Sequence, residues 1–270
     1  MIIKDRKFDT KNNHYIMGIV NITPDSFSDG GKYNNLEQAL KRIEEMIAEG
    51  AHIIDIGGES TRPGHVRISD EEEIGRIMPL LKAIKERFDI PVSLDTYKPG
   101  VVKAAIGYID LVNDVHGLKY DPEMAHIIAA NNLSVCIMHN RDNQDYDDFW
   151  NDLKSDLKES LAIAKAAGIP DERIMLDGGV GFPKDYNQNL ITLNRTDELV
   201  EWGYPVLIAT SKKGFIGQIT GNPVDKRTAG TVATTVFGAM KGASFFRVHD
   251  VKENSDALRV TKAILNESID

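Results

Sequence analysis

Eight short apolar runs recur along this chain, and each one stops at polar residues: Tyr15–Val20, His52–Ile56, Pro91–Asp95, Asp110–Asp114, Leu133–Met138, Arg173–Asp177, Pro205–Thr210 and Ala243–His249. Most are rich in Val and Ile and too short to be helices, so they read as buried strands. Between them lie stretches with helical spacing. Leu36, Leu40, Ile43 and Ile47 share one face before Gly50, and Ile74, Ile77, Leu81, Ile84 and Phe88 follow the cap signal Ser69-Asp-Glu-Glu. Pro79 predicts a kink in that second helix. Further helices are expected over 99–106, from the Asp121-Pro122 cap to Ala130, and over 147–167, 190–202, 228–241 and 254–265. Buried strands joined by helical crossovers form an all-parallel sheet. Eight such units in 270 residues favour a closed (β/α)8 barrel, one domain over 1–270, with residues 1–14 as a short N-terminal hairpin or arm. A dinucleotide fold loses ground: no glycine fingerprint follows the first strand, and after Gly179-x-Gly181 the third position is Lys184.

Composition narrows the partners. Lys and Arg number 32 against 41 Asp and Glu, a net charge of −9, so no global basic field exists for nucleic acid or an anionic membrane. The opening residues MIIKDRKFDTKNN are interrupted by charge, and no apolar run reaches membrane-spanning length. The one cysteine, Cys136, sits in an apolar run and reads as a buried, inert thiol. Together these predict a soluble, cytoplasmic protein.

In a βα barrel the strand C-termini meet on one face, where active sites lie. The residues at those ends are Asn21, Asp55, Asp95, Asn113, His139, Asp177, Ser211 with Lys213, and Arg247 with His249. A single polar strand end is usually a cap or turn; eight converging on one rim are poorly explained that way. Asp95, Asp177 and Asn113 suit a planar, guanidine-like heterocycle, because a carboxylate pairs in register with two adjacent N–H groups. Lys213 adds a cation, and Arg247 a flat one able to stack on a ring. Asn21, Arg247 and His249 together suit an anion, with Asn21 acting through a hard cation such as Mg2+. A buried Asp177–Lys213 ion pair is the structural alternative, and for His139 a hydrogen-bonded structural histidine is at least as good a reading.

Two segments, Asn21-Ile-Thr-Pro-Asp-Ser-Phe-Ser-Asp-Gly-Gly31 and Asp55-Ile-Gly-Gly-Glu-Ser-Thr-Arg-Pro-Gly64, resemble the signatures of dihydropteroate synthases. The similarity continues through Ser93–Thr96, Leu111–Asp114, Met138-His139, Leu176-Asp177 with Gly179-x-Gly-Phe182, Ser211-x-Lys213 and Arg247–Val251, so it spans essentially the whole chain. The resemblance implies a (β/α)8 barrel, usually dimeric, that joins 6-hydroxymethyl-7,8-dihydropterin diphosphate to 4-aminobenzoate and releases pyrophosphate. By position it implies that Asn21 contacts Mg2+, that Asp95, Asn113, Asp177 and Lys213 bind the pterin, and that Met138 and Phe182 lie against it. Arg247 would stack on the pterin and, with His249 beside Val248, hold the diphosphate, as would Thr61. The loops at 22–31 and 58–65, with Arg62 and Pro63, would form the 4-aminobenzoate pocket together with Ser211 and Lys212. Asp25 and Asp29 are candidates to meet the developing cation or the amine. No nucleophilic side chain is required: pyrophosphate departs from a delocalised pterinylmethyl cation, which the arylamine then attacks.

Three positions depart from the family pattern: Gly178 for proline, Lys212 for arginine and Gly214 for serine or a larger residue. Lys212 carries a single hydrated charge rather than a planar fork, which predicts weaker 4-aminobenzoate binding than an arginine would give. Sulfonamides, lacking the carboxylate, should depend on it less. Two rivals stay open. A methyltetrahydrofolate–corrinoid methyltransferase would share the barrel and pterin acids without needing Asn21, Arg247 and His249 for a diphosphate. A non-catalytic pterin binder would keep the pocket without turnover.

Overall fold

The computed structural model describes residues 1–22, 32–59 and 66–268, with the backbone alone for 32–35. Asp25, Asp29, Thr61, Arg62 and Pro63, with most of the two loops expected around 4-aminobenzoate, lie outside the described residues.

An antiparallel hairpin opens the chain, β1 (Ile2–Ile3) against β2 (Arg6–Lys7). Eight parallel strands then close into a barrel: β3 (Tyr15–Asn21), β4 (Ala51–Gly57), β5 (Val92–Asp95), β6 (Leu111–Asp114), β7 (Ser134–Met138), β8 (Ile174–Asp177), β9 (Val206–Ile208) and β10 (Phe245–Val248). Neighbours in space are neighbours in sequence, and β10 closes the ring on β3, with Arg247 opposite Met17. The fold is therefore the (β/α)8 barrel that the alternation predicts.

The outer helices are α1 (Lys32–Glu49), α2 (Asp70–Arg87), α3 (Pro99–Ala105), α4 (Glu123–Ala130), α5 (Phe149–Ala166), α6 (Tyr186–Asn194), α7 (Thr196–Val200), α8 (Gly214–Thr220), α9 (Thr228–Met240) and α10 (Val251–Asn266). Ser69 caps α2 by accepting from the Glu72 N–H at 3.2 Å. That helix runs as one element through Pro79. Gly50 ends α1's turn at φ +106°, where a side chain is strained. The single helix expected over 190–202 is two, α6 and α7. A capping box between Asp185 and Gln188 starts the first one earlier than the apolar pattern shows.

Strand side chains alternate between two environments, the period-two pattern of a pleated strand. One face packs outward on the helices, through Ile54, Ile56, Leu94, Val112, Val135, Ile137, Ile174, Leu176, Val206, Ile208, Phe246 and Val248. The other fills the barrel. Met17, Ile53, Leu111, Cys136, Met175, Leu207 and Phe245 form an interior cluster with Ile3 and Phe8 of the hairpin segment. Phe8 meets Tyr15 edge-on at 4.8 Å and lies 5.7 Å from Phe245, so the N-terminal segment plugs that end of the barrel. Cys136 is fully buried in this plug, where burial pushes its thiol pKa well up, as expected of an inert cysteine. Among the described residues no helix is long and apolar enough to cross a membrane.

Candidate active site

Two residues beyond the plug, on the same face of each strand, the chemistry changes. Ile53 gives way to Asp55, Leu111 to Asn113, Cys136 to Met138, Met175 to Asp177 and Phe245 to Arg247, while Asp95 follows Ser93. Asp55, Asp95, Asn113 and Asp177 are each 4% exposed or less, so these polar groups line the interior and not a solvated rim. The neighbouring carboxylate, Asp114, serves its own loop instead. Its two oxygens accept from the backbone N–H groups of His116 and Leu118, each at 2.8 Å. Asn113 is thus the member of the pair on the interior face.

Arg247 bridges two strands across the barrel. Its Nε donates to Asp55 Oδ2 at 2.7 Å and its Nη2 to Asp95 Oδ2 at 2.5 Å. Burial works against this charge, but the two carboxylates outweigh it and hold the guanidinium pKa above its ordinary value. One cation cannot neutralise both partners. Burial, with the nearby Asp55 charge, pushes Asp95 up to about 7 in spite of Arg247. The other oxygens, Asp55 Oδ1 and Asp95 Oδ1, are buried and accept no hydrogen bond among the described residues. A buried acceptor without a partner costs free energy unless a ligand supplies one.

Asp177 is fixed differently. Its Oδ1 accepts from the Gly179 N–H at 2.7 Å. Burial raises its pKa, opposed by Lys213 and that N–H. Lys213 is not in direct ion-pair contact with Asp177. Its ammonium donates to the Val180 carbonyl and lies 4.9 Å from the centre of the Phe182 ring, and burial lowers its pKa to about 8. Phe182 packs with Met138, Tyr97 and Val115 as one apolar cluster. Tyr97 and Val115 are not foreseen from the strand ends, although each lies two residues beyond a foreseen one, Asp95 and Asn113.

Ser211 and His249 meet: Ser211 Oγ is 2.8 Å from His249 Nδ1, and the His249 backbone N–H donates to the same oxygen. Lys212, expected to reach a substrate carboxylate, donates instead to Asp250 Oδ1 at 2.8 Å, while Thr228 holds the other Asp250 oxygen. Val248 does not line the interior. Strand alternation puts its side chain in the core beneath the helices, so any role at the site falls to its backbone. Gly178 is close-packed, since a Cβ there would come within 2.5 Å of Thr192 Cγ2, whereas a Cβ at Gly214 would meet nothing within 4 Å.

His139 is a structural histidine. Its Nε2 lies 3.0 Å from Asp156 Oδ2 and its Nδ1 2.9 Å from Lys184 Nζ, and burial and the neighbouring lysine lower its pKa to about 3. Lys184 is buried, and burial lowers its own pKa to about 7. Nothing in the strand pattern points to it.

Among the described residues no three His, Cys, Asp or Glu side chains converge as a metal cage. Asn21, at the end of β3, is half-buried, and its Oδ1 lies 3.3 Å from where a Cβ on Gly57 would stand. One hard oxygen over a glycine fits an ion such as Mg2+, which takes most of its ligands from water and phosphate. A cleft of about 340 Å³ at the other end of the molecule includes Lys4, Lys85, Arg87, Asp89 and Asp110. It lies away from the strand C-termini, and Lys4 pairs there with Asp89 at 3.0 Å, so it is not the reactive site.

Comparison with known proteins agrees with this geometry. Residues 17–249 match the family model described as "Pterin binding enzyme". A dihydropteroate synthase of Clostridium beijerinckii is 53% identical over 267 residues, covering 98% of this chain and 99% of the relative. The structure of a Clostridium difficile dihydropteroate synthase in the presence of pteroic acid superposes with a TM-score of 0.93 at 48% identity, covering 96% of this chain and 99% of that one. That of the Xanthomonas albilineans enzyme with 4-aminobenzoic acid gives 0.90 at 38% identity, covering 94% of each. From the interior acceptors and these likenesses over nearly its whole length, the chain belongs to the dihydropteroate synthases, a family of pterin-binding enzymes.

Proposed function

We propose how this chain performs its family's transferase reaction, the condensation of 6-hydroxymethyl-7,8-dihydropterin diphosphate with 4-aminobenzoate to give 7,8-dihydropteroate and pyrophosphate. The observation that carries the reading is the pair of buried carboxylates, Asp95 and Asp177, on one interior face beside Asn113 and Lys213. Asp177 has one oxygen held by Gly179, which leaves the other for the ring's paired N–H donors. Asp95 Oδ1 and the Asn113 amide take further edges of the heterocycle. Lys213 donates to a ring acceptor, and Met138, Phe182, Tyr97 and Val115 form an apolar wall that limits water.

Arg247, locked by Asp55 and Asp95, offers a rigid flat cation for the pterin face and the departing diphosphate. His249, oriented by Ser211, faces the same leaving group. Asn21 would hold Mg2+, which when bound supplies positive charge to the diphosphate oxygens. Asp25, Asp29, Thr61, Arg62 and Pro63 complete the proposal: Thr61 at the diphosphate, Arg62 and Pro63 with Ser211 and Lys212 at 4-aminobenzoate, and the two aspartates near the developing cation or amine. The chain acts as one pterin-binding unit in the cytoplasm, where its lone buried thiol stays reduced. It pairs as a homodimer, for which the exposed Phe237 and Met240 on α9 and Val260 and Ile264 on α10 supply apolar surface.

The test is pyrophosphate release from the pterin diphosphate with Mg2+, with and without 4-aminobenzoate. Release with stoichiometric dihydropteroate is expected. Tight pterin binding with no product would instead identify a non-catalytic binder.

A further inference from the structure

Lys184 is a buried charged side chain beside the site that the reaction, as proposed above, does not use. Its ammonium has two partners on two different segments. It donates to the Gly179 carbonyl at 2.9 Å and to His139 Nδ1 at 2.9 Å. Asp156 Oδ2 is a carboxylate oxygen that only accepts and the His139 ring is neutral, so Nδ1 is the accepting nitrogen toward Lys184. The ring proton then lies on Nε2 and donates to Asp156 Oδ2, 3.0 Å away, which Arg141 Nε also holds at 2.6 Å. The result is a braced chain from α5 through His139, just past β7, to Lys184 and the turn after β8.

That turn has little freedom of its own. Gly179 sits at φ +71°, and a Cβ there would come 2.0 Å from the His139 carbonyl oxygen. The same glycine's N–H grips Asp177 Oδ1 at 2.7 Å. Gly179 therefore joins the two: its carbonyl is held by Lys184 and its N–H orients the pterin-facing carboxylate. The carbonyl lies in the Gly179–Val180 peptide and also accepts from the Phe182 N–H at 3.3 Å, while the N–H on Asp177 lies in the Gly178–Gly179 peptide. Without Lys184 the first peptide loses its shorter bond, and the second, joined to it through the Gly179 dihedrals, can tilt.

We propose that Lys184 is a positioning residue for the pterin site, acting through the two peptides that meet at Gly179 to set the carboxylate of Asp177. This rests on the assignment of Asp177 to the pterin. The ammonium is engaged by Gly179 and His139 and acts on the substrate only through them, so its loss should tell on pterin recognition and leave 4-aminobenzoate recognition alone.

Lys184→Met keeps the apolar stem and removes the donor; Lys184→Gln keeps a donor on a stem one atom shorter. Both are measured for the Michaelis constants of the two substrates and for calorimetric binding of 6-hydroxymethylpterin, beside the wild type. Lys184→Met is expected to raise the pterin constant about tenfold, the scale of one lost charge-assisted hydrogen bond, and to move the 4-aminobenzoate constant less than about twofold. Lys184→Gln should fall between it and the wild type, a partial rescue that loss of packing alone would not produce. Pterin constants close to wild type in whichever variant folds, or equal rises for both substrates, overturn the positioning role. A wild type that makes no dihydropteroate refutes the functional reading instead, so the two failures are distinct.

Discussion

On β10, Phe245 and Arg247 are two residues apart on the same face of the same strand, yet they belong to different worlds. Phe245 is buried in an apolar plug with Tyr15 and Phe8. Arg247 is clamped between Asp55 and Asp95. The same step recurs from Met175 to Asp177 and from Leu111 to Asn113. The lower set gains free energy by leaving water and needs nothing further. The upper set loses solvation and recovers only part of it within the protein, as the unpartnered Asp55 and Asp95 oxygens show among the described residues. One end of the barrel is built to be stable, the other to be completed by a ligand.

Substitutions on that strand test the contrast hardest. Arg247→Met strands two buried carboxylates, which should cost about 3–5 kcal/mol of stability and abolish turnover. Phe245→Ala should cost a similar ~3–5 kcal/mol as a cavity, but leave pterin affinity intact in the folded fraction. Denaturant unfolding alongside pterin titration separates them. Equal loss of affinity in both variants would erase the distinction between the two sets.

Acidity gives a second way in. Asp95, raised to about 7, must be ionised to accept from pterin N–H groups. Binding therefore lowers its pKa, and affinity should weaken as pH falls below about 7, by up to about tenfold per pH unit. Lys213, lowered to about 8, gives a charge-assisted hydrogen bond only as the ammonium, so affinity should fall again above that value. Calorimetry from about pH 5.5 to about pH 9.5 should trace a bell. For the ligand-free fold the sign is opposite: Asp95 holds its proton longer folded than unfolded, so its contribution to stability declines as pH climbs from its ordinary 3.8 to about 7. A flat binding profile would mean that neither group meets the pterin.

The smallest expected effect lies outside the barrel interior. Lys212 is tied to Asp250, both partly exposed. Asp250→Asn should release the ammonium toward the 4-aminobenzoate carboxylate and lower that Michaelis constant a few-fold, a change of about 0.5–1 kcal/mol. No change, or a shift in the pterin constant instead, would remove Lys212 from that pocket.

Much of this is legible in the sequence because period-two burial and cap chemistry are local. Ser69, Gly50 and the strand ends at Asp95, Asp177 and Arg247 follow from neighbours a few residues away. The pairing of Arg247 with Asp55 does not, since 192 residues separate them and only barrel closure brings them together. Helix α8 is not legible because Gly214 and Gly217 are poor helix formers. It is held by tertiary contact, with the Arg227 guanidinium packed so closely that a Cβ on Gly217 would lie 2.3 Å from it. Lys184 carries no strand-end or cap signal in the sequence, and its burial depends on the turn at Gly179 and on His139 from another part of the barrel. Gly178, where the family pattern has proline, also owes its packing to a distant residue, since Thr192 fills the space that a larger side chain would take.

If pterin is read by the upper interior set, β8 is where that shows most clearly. Calorimetric titration of 6-hydroxymethylpterin into Asp177→Asn, beside Met175→Ala two residues below, is the measurement. Asp177→Asn is expected to lose at least about tenfold in affinity, roughly 1.5–3 kcal/mol, because its amide N–H₂ opposes a ring donor, while Met175→Ala binds as the wild type does. Unchanged affinity in Asp177→Asn, or an equal loss in both, would contradict a pterin site built on the upper set.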